Sequence, residues 1–172
     1  MLALLLAASC SKHEAGRNRL ESPDGRICIV TEAPPRGAIY GSMRIYVDNN
    51  PFMAVTDMGL SLTRCQKPFL TDTVIRTTVD TTYTLPWGEN KVVRDHYNEM
   101  LVCMSCFGDD STQMNIRIRA YDEGVAFRYV IPELPGNPGG CEVMRELTEW
   151  RFAGDPDVWA TTYRAHFNSN EQ

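Results

Sequence analysis

The chain has 172 residues, 43% of them hydrophobic and 23% charged, with a net charge of −5. That length suits one domain, or one with a tail, and the composition excludes wholesale disorder. Lys and Arg form no cluster of the kind that binds phosphates, so no nucleic acid is expected as partner. No apolar stretch reaches the roughly 18 residues of a membrane-spanning helix.

Residues 1–10 read MLALLLAASC. An apolar run from Leu2 to Ala8, then small residues, has the shape of a secretory h-region and its cleavage site. The ending Ala7-Ala8-Ser9-Cys10 resembles a bacterial lipobox, in which the cysteine becomes the lipidated N-terminus. The expectation is an exported, periplasmic or outer-membrane-anchored lipoprotein that meets the membrane only through an acyl anchor at Cys10. The polar stretch 11–19 reads as a tether. Residues 1–19 are thus assigned to signal and tether, and 20–172 to a folded domain.

From there the chain alternates with period two. The turn Ser22-Pro23-Asp24-Gly25 leads into a strand at 26–32, and a second strand at 38–47 ends at the turn Asp48-Asn49-Asn50-Pro51. Short strands follow at 52–55 and 58–63. In 73–85, Ile75, Thr77, Val79, Thr81, Tyr83 and Leu85 share one side, and Arg76, Thr78, Asp80, Thr82 and Thr84 the other. A long extended segment spans 92–105, and Gly108 to Ser111 reads as a hairpin loop. Met114, Ile116, Ile118 and Ala120 alternate with polar partners. The turn Asp122-Glu123-Gly124 precedes Val125, Phe127, Tyr129 and Ile131. Residues 132–140 (PELPGNPGG) are a loop, 141–152 a further strand, and 155–160 a short one. No segment carries a 3.6-residue apolar stripe. The pattern is an all-β sandwich with half-polar, antiparallel strands.

Six cysteines lie at 10, 28, 65, 103, 106 and 141. Cys103 and Cys106 have CxxC spacing, but on a strand positions three apart point to opposite faces. With no second CxxC, neither zinc nor redox chemistry is expected. Buried thiols with one bridge are the expectation, its connectivity left open.

The densest polar and aromatic cluster is 86–99. If 93–99 is extended, Arg94, His96 and Asn98 share one face, and Asp95, Tyr97 and Glu99 the other. Arg94 and His96 can hydrogen-bond sugar hydroxyls, and Trp87 can stack on a pyranose ring, so Trp87, Arg94 and His96 are the substrate-facing candidates. The same groups also suit cross-strand pairs at a sheet surface. Asp109, Asp110, Asp122 and Glu123 are explained as turn residues. Trp150 and Trp159 are read as core packing. The last residues, Asn168 to Gln172, read as a loop, so the sandwich is expected to be incomplete at its C-terminal end.

These segments resemble the N-terminal domain of glycoside hydrolase family 97, the bacterial α-glucosidases and α-galactosidases. Ser22-Pro23-Asp24-Gly25 and Asp57-Met58-Gly59-Leu60-Ser61-Leu62 carry part of the likeness. Trp87-Gly88-Glu89-Asn90-Lys91 and Arg94-Asp95-His96-Tyr97-Asn98-Glu99 carry more. Arg117 to Tyr129, Glu146 to Glu149 and Phe152 to Asp155, leading to Trp159, complete it in family order. The resemblance implies a mutarotase-like antiparallel β-supersandwich preceding a (β/α)8 barrel that holds the catalytic carboxylates. A barrel needs about 250 residues, and none is present here, so no catalytic residue is assigned and the fragment alone is expected to be inactive.

The resemblance also implies a calcium cofactor in the complete enzyme, with Glu171 the best match for the one ligand this domain supplies. Calcium takes 6–8 oxygens, so the fragment alone is not expected to bind it tightly. The implied partners are an α-linked oligosaccharide and the missing barrel. Beside this reading stands a stand-alone carbohydrate-binding lipoprotein without activity, motivated by the lipobox and Trp87.

Overall fold

The computed structural model describes residues 18–32, 41–88, 90–133 and 141–157. Among them are twelve strands: β1 (Arg19–Glu21), β2 (Ile27–Glu32), β3 (Gly41–Val47), β4 (Asn50–Met58), β5 (Leu60–Leu62), β6 (Phe69–Thr84), β7 (Val92–Cys106), β8 (Asp109–Gln113), β9 (Asn115–Ala120), β10 (Val125–Val130), β11 (Val143–Glu146) and β12 (Glu149–Phe152). All pairings are antiparallel. One sheet has the order β1-β2-β3-β4-β12, a second runs β10-β9-β7-β6 with β8 also on β7, and β11 pairs with β5. The all-β antiparallel sandwich read from the alternation is the fold.

Local chemistry explains the turns. At 22–25 the Gly25 amide bonds the Ser22 carbonyl at 3.0 Å, and Gly25 takes φ +76°, a left-handed conformation open to glycine at no steric cost. Between β3 and β4, Asp48 and Asn49 both have positive φ, the two-residue hairpin geometry that Asp and Asn tolerate best. Arg26 grips the Asp48 carboxylate with two nitrogens, at 3.1 and 3.0 Å.

The core lies between the two larger sheets. Ile29, Met43 and Val55 on one side and Met100, Met114 and Ile118 on the other are sealed from solvent. Burial of this apolar area is the main stabilising term. Met58, Leu60, Leu62 and Phe69 close one end.

Five expectations need correction. β1 begins at Arg19, inside the stretch read as a tether, and Leu20 is buried. Only three residues long, β1 is too short to show an alternation. Residues 109–113 form strand β8, and the hairpin connection is Phe107-Gly108, with Gly108 at φ +79°. Asp109 has turn chemistry, bonding the Ser111 amide at 3.0 Å, yet sits in the strand. The segment 141–152 is two strands bent at Leu147-Thr148, because their partner also changes sheet there. β4 passes through Asp57 (φ +51°) and Gly59 into β5, and the Leu147 amide bonds the Gly59 carbonyl at 3.2 Å. Residues 155–157 are not in a strand, and 158–160 lie outside the described residues. Trp150 is a rim residue, half-exposed, its ring 5.5 Å from that of Phe127. Trp159 lies outside the described residues.

Cys65 and Cys106 form a disulfide. Cys106 faces inward, as does its buried partner, while Cys103, three positions earlier, is a free thiol on the other face. The bridge ties the segment after β5 to the end of β7.

Candidate functional site

The long β6–β7 hairpin carries the sugar-facing candidates. Fifteen cross-strand pairs run from Phe69↔Cys106 to Thr84↔Val92. Period two then puts Arg94, His96 and Asn98 on one face of β7, opposite Thr82, Asp80 and Thr78. The inferred shared face exists. It is continuous with the inward-facing Met100 and Val102, so the hairpin is apolar at its root and polar toward its tip.

Asp80 was not singled out by sequence, since its partner is diagonal on another strand. Arg94 donates Nε and Nη2 to its two carboxylate oxygens, each at 2.7 Å. This hydrogen bonding holds the Asp80 carboxyl below the usual carboxylate range. A carboxylate so held stays ionised at neutral pH and cannot act as a general acid. Asn98 accepts from Thr78 Oγ1 at 2.7 Å and donates to the Glu21 carbonyl at 2.8 Å. Arg76 donates to the Arg19 carbonyl at 2.9 Å. These bonds fasten β1 to the polar face of the hairpin, on which Arg76, Thr78, Asp80 and Thr82 stay exposed. The apolar row Ile75, Val79 and Tyr83 lies on the opposite face, with Ile75 50% and Tyr83 49% exposed.

Asp122 is more than a turn residue: its Oδ1 accepts the Asp24 amide at 2.8 Å, joining two turns 98 residues apart in sequence. Trp87 sits in the loop closing the hairpin, where the Leu85 amide bonds the Lys91 carbonyl at 2.9 Å. It is 83% exposed. Of the three candidates, Arg94 is committed to Asp80, and His96 has no hydrogen-bond partner among the described residues. Trp87 offers a bare aromatic face. Among the described residues, Asp80 is the one carboxylate bonded to this set.

The two densest family words meet on the opposite face. Glu99 pairs with Arg119 across β7 and β9, its Oε2 2.7 Å from Arg119 Nε and its Oε1 3.5 Å from Arg117 Nε. Arg119 lies 4.2 Å over the Tyr97 ring, a cation–π contact. The Tyr97 and Tyr121 rings are 5.1 Å apart. Partial burial is the largest single influence and opposes the Arg119 charge, but the bonds to Glu99 and Tyr121 and the nearby Tyr97 and Glu99 charges together outweigh it and raise the guanidinium above its ordinary value. Burial also raises the Tyr97 hydroxyl.

Glu171 and Cys10 lie outside the described residues. Among those described, no three His, Cys, Asp or Glu side chains gather in a metal-binding group.

A double-layered antiparallel sandwich with a polar hairpin face is the class of domain these residues define. Residues 20–172 match the family described as Glycosyl-hydrolase 97 N-terminal, and the chain belongs to it. Its fold is similar to that of a Glycoside Hydrolase Family 97 enzyme from Pseudoalteromonas sp. strain K8, solved with panose and with acarbose. The panose complex gives TM-score 0.70, 24% identity and 89% coverage of this chain. The acarbose complex gives TM-score 0.70, 24% identity and 90% coverage. A beta-arabinopyranosidase is similar at TM-score 0.68 and 18% identity over 83% of the chain. The chain spans about a quarter of the length of these enzymes, 24% in the first two and 22% in the third.

Proposed function

We propose that this chain is the N-terminal β-sandwich portion of an exported α-glycoside hydrolase, supporting and completing the active site of a (β/α)8 barrel outside these residues. Its membership of the Glycosyl-hydrolase 97 N-terminal family carries the reading. The substrate is an α-linked oligosaccharide, and the similarity to an enzyme solved with panose and acarbose supports that class. The hairpin face contributes binding and shape, with Trp87 and His96 as its uncommitted groups, and leaves acid–base chemistry to the barrel.

Calcium belongs to the complete enzyme in this proposal. The described residues offer no ligand cluster of their own. Glu171 would supply one or two of the 6–8 oxygens and the barrel the rest. Export is supported by the Cys65–Cys106 bridge, since disulfides persist in oxidising compartments and are rare in the cytosol; the Cys10 anchor rests on the lipobox-like ending Ala7-Ala8-Ser9-Cys10.

The native product in source cells, detected with an antibody to residues 132–140, tests the reading. A band tens of kilodaltons above 19.4 kDa is expected. A band near that mass overturns it and favours the stand-alone carbohydrate-binding lipoprotein, for which the 83% exposed Trp87 speaks. In that case maltooligosaccharide binds the 172-residue chain, and Trp87→Ala abolishes the binding.

A further inference from the structure

The outer face of β10-β9-β7 has a charge arrangement that the described residues do not balance. Arg117 on β9 stands directly opposite Arg128 on β10. Directly paired residues hold their Cβ atoms about 5 Å apart, and like charges so placed repel. Glu99 is already shared between Arg119 and Arg117, its short bond going to Arg119. Arg128 has no partner among the described residues. The next carboxylate on this face of β7, Asp95, lies beyond the Tyr97 ring and pairs with none of these arginines. Arg117 Nε is buried and makes no hydrogen bond. Three guanidiniums thus meet one carboxylate, on a chain whose net charge is −5.

The same row continues across the sheet as apolar surface. Arg117 is paired with Leu101 on β7, and Leu101 with Ile75 on β6, which is half-exposed. The row lies on one face of the sheet. A cavity of about 430 Å³ lies on the other side, between the sheets, against Met104, Met114 and Ile118. Small-molecule sites are concave, whereas a flat face with mixed basic and apolar rows suits a protein surface. A second copy packed face to face would set arginines on arginines.

We infer that the outer face of β10-β9-β7 docks a protein surface that places a carboxylate between Arg117 and Arg128 and apolar side chains over Leu101 and Ile75. The carboxylate relieves the cross-strand repulsion and gives the Arg128 guanidinium an acceptor. Bidentate guanidinium–carboxylate geometry adds orientation to the contact.

The test uses the 172-residue chain and a short peptide alternating leucine and glutamate, with a leucine–glutamine peptide and sodium acetate as controls. Binding is followed by amide shifts in about 20 mM salt, where surface charge is little screened. Expected are shifts at Leu101, Arg117, Arg119 and Arg128 with the glutamate peptide, and binding about tenfold weaker for the glutamine peptide or for Arg128→Ala. Arg128→Glu provides a carboxylate opposite Arg117. It is expected to raise the melting temperature while abolishing peptide binding, a combination that a merely structural role for Arg128 would not produce. Equal binding of the two peptides overturns the inference, as does acetate acting as strongly as the glutamate peptide. No shift at millimolar peptide, or an Arg128→Glu chain that melts lower than wild type, also overturns it.

Discussion

Replacing Cys65 and Cys106 together by alanine tests both the fold and the proposed compartment. The bridge closes a loop of 41 residues. Constraining a loop of 41 residues lowers the entropy of the unfolded chain by an amount worth about 4 kcal/mol at 25 °C. Both cysteines are buried in the core cluster, so alanine leaves no unpaired polar group behind. For a chain of this size each kcal/mol moves the melting temperature by roughly 2–4 °C, so the double variant should melt about 8–16 °C lower. Calorimetry of wild type with and without reductant, beside the double variant, checks this. Reduction should reproduce the variant's shift, and Cys103→Ala should leave the oxidised melting temperature almost unchanged. A non-reducing peptide map should join Cys65 to Cys106 while Cys103 reacts with alkylating reagent. Melting temperatures that agree within about 2 °C with and without reductant would refute the reasoning, because a closed loop of this length cannot be released so cheaply. They would also remove the structural support for an oxidising compartment.

Ile118→Ala, at a fully buried position of β9, should cost about 3 kcal/mol, read as a lower urea midpoint with an unchanged slope. Arg94→Ala should return the Asp80 carboxyl from its lowered value toward the ordinary 3.8, followed by carbon NMR of the carboxyl group. Because the folded-state value is depressed, the Asp80–Arg94 pair stabilises the fold at neutral pH and that contribution is lost as pH falls through the folded value. The melting temperatures of wild type and Arg94→Ala should therefore converge in acid. Trp87→Ala should leave the melting temperature unchanged while removing the most iodide-accessible part of the tryptophan emission, as its 83% exposure requires.

Much of the architecture was legible because strand alternation is a local property. Ile116, Ile118 and Ala120 alternate in sequence and are buried in that order in the structure. The turns at 22–25 and 48–49 were legible too, since Asp, Asn and Gly carry their positive-φ tolerance with them. Strand β8 was hidden because Asp109 and Ser111 carry turn chemistry inside a strand. The row Arg94, His96 and Asn98 was legible as a shared face on β7. Its commitment to Asp80 and to the β1 carbonyls was not, since those partners come from other strands.

Periodicity by itself determined that this is an all-β domain, and rare words in order determined its family. Which side of each strand faces inward was decided only by the tertiary structure. In β6 the polar row with Arg76, and not the apolar row Ile75, Val79 and Tyr83, shares the face of the hairpin that meets β1, where Arg76 and Asn98 donate to β1 carbonyls. Arg117 and Arg128, both in the segment 117–129, became neighbours only when β9 and β10 paired. Alternation records that two faces differ; register across strands distant in sequence decides what each face meets.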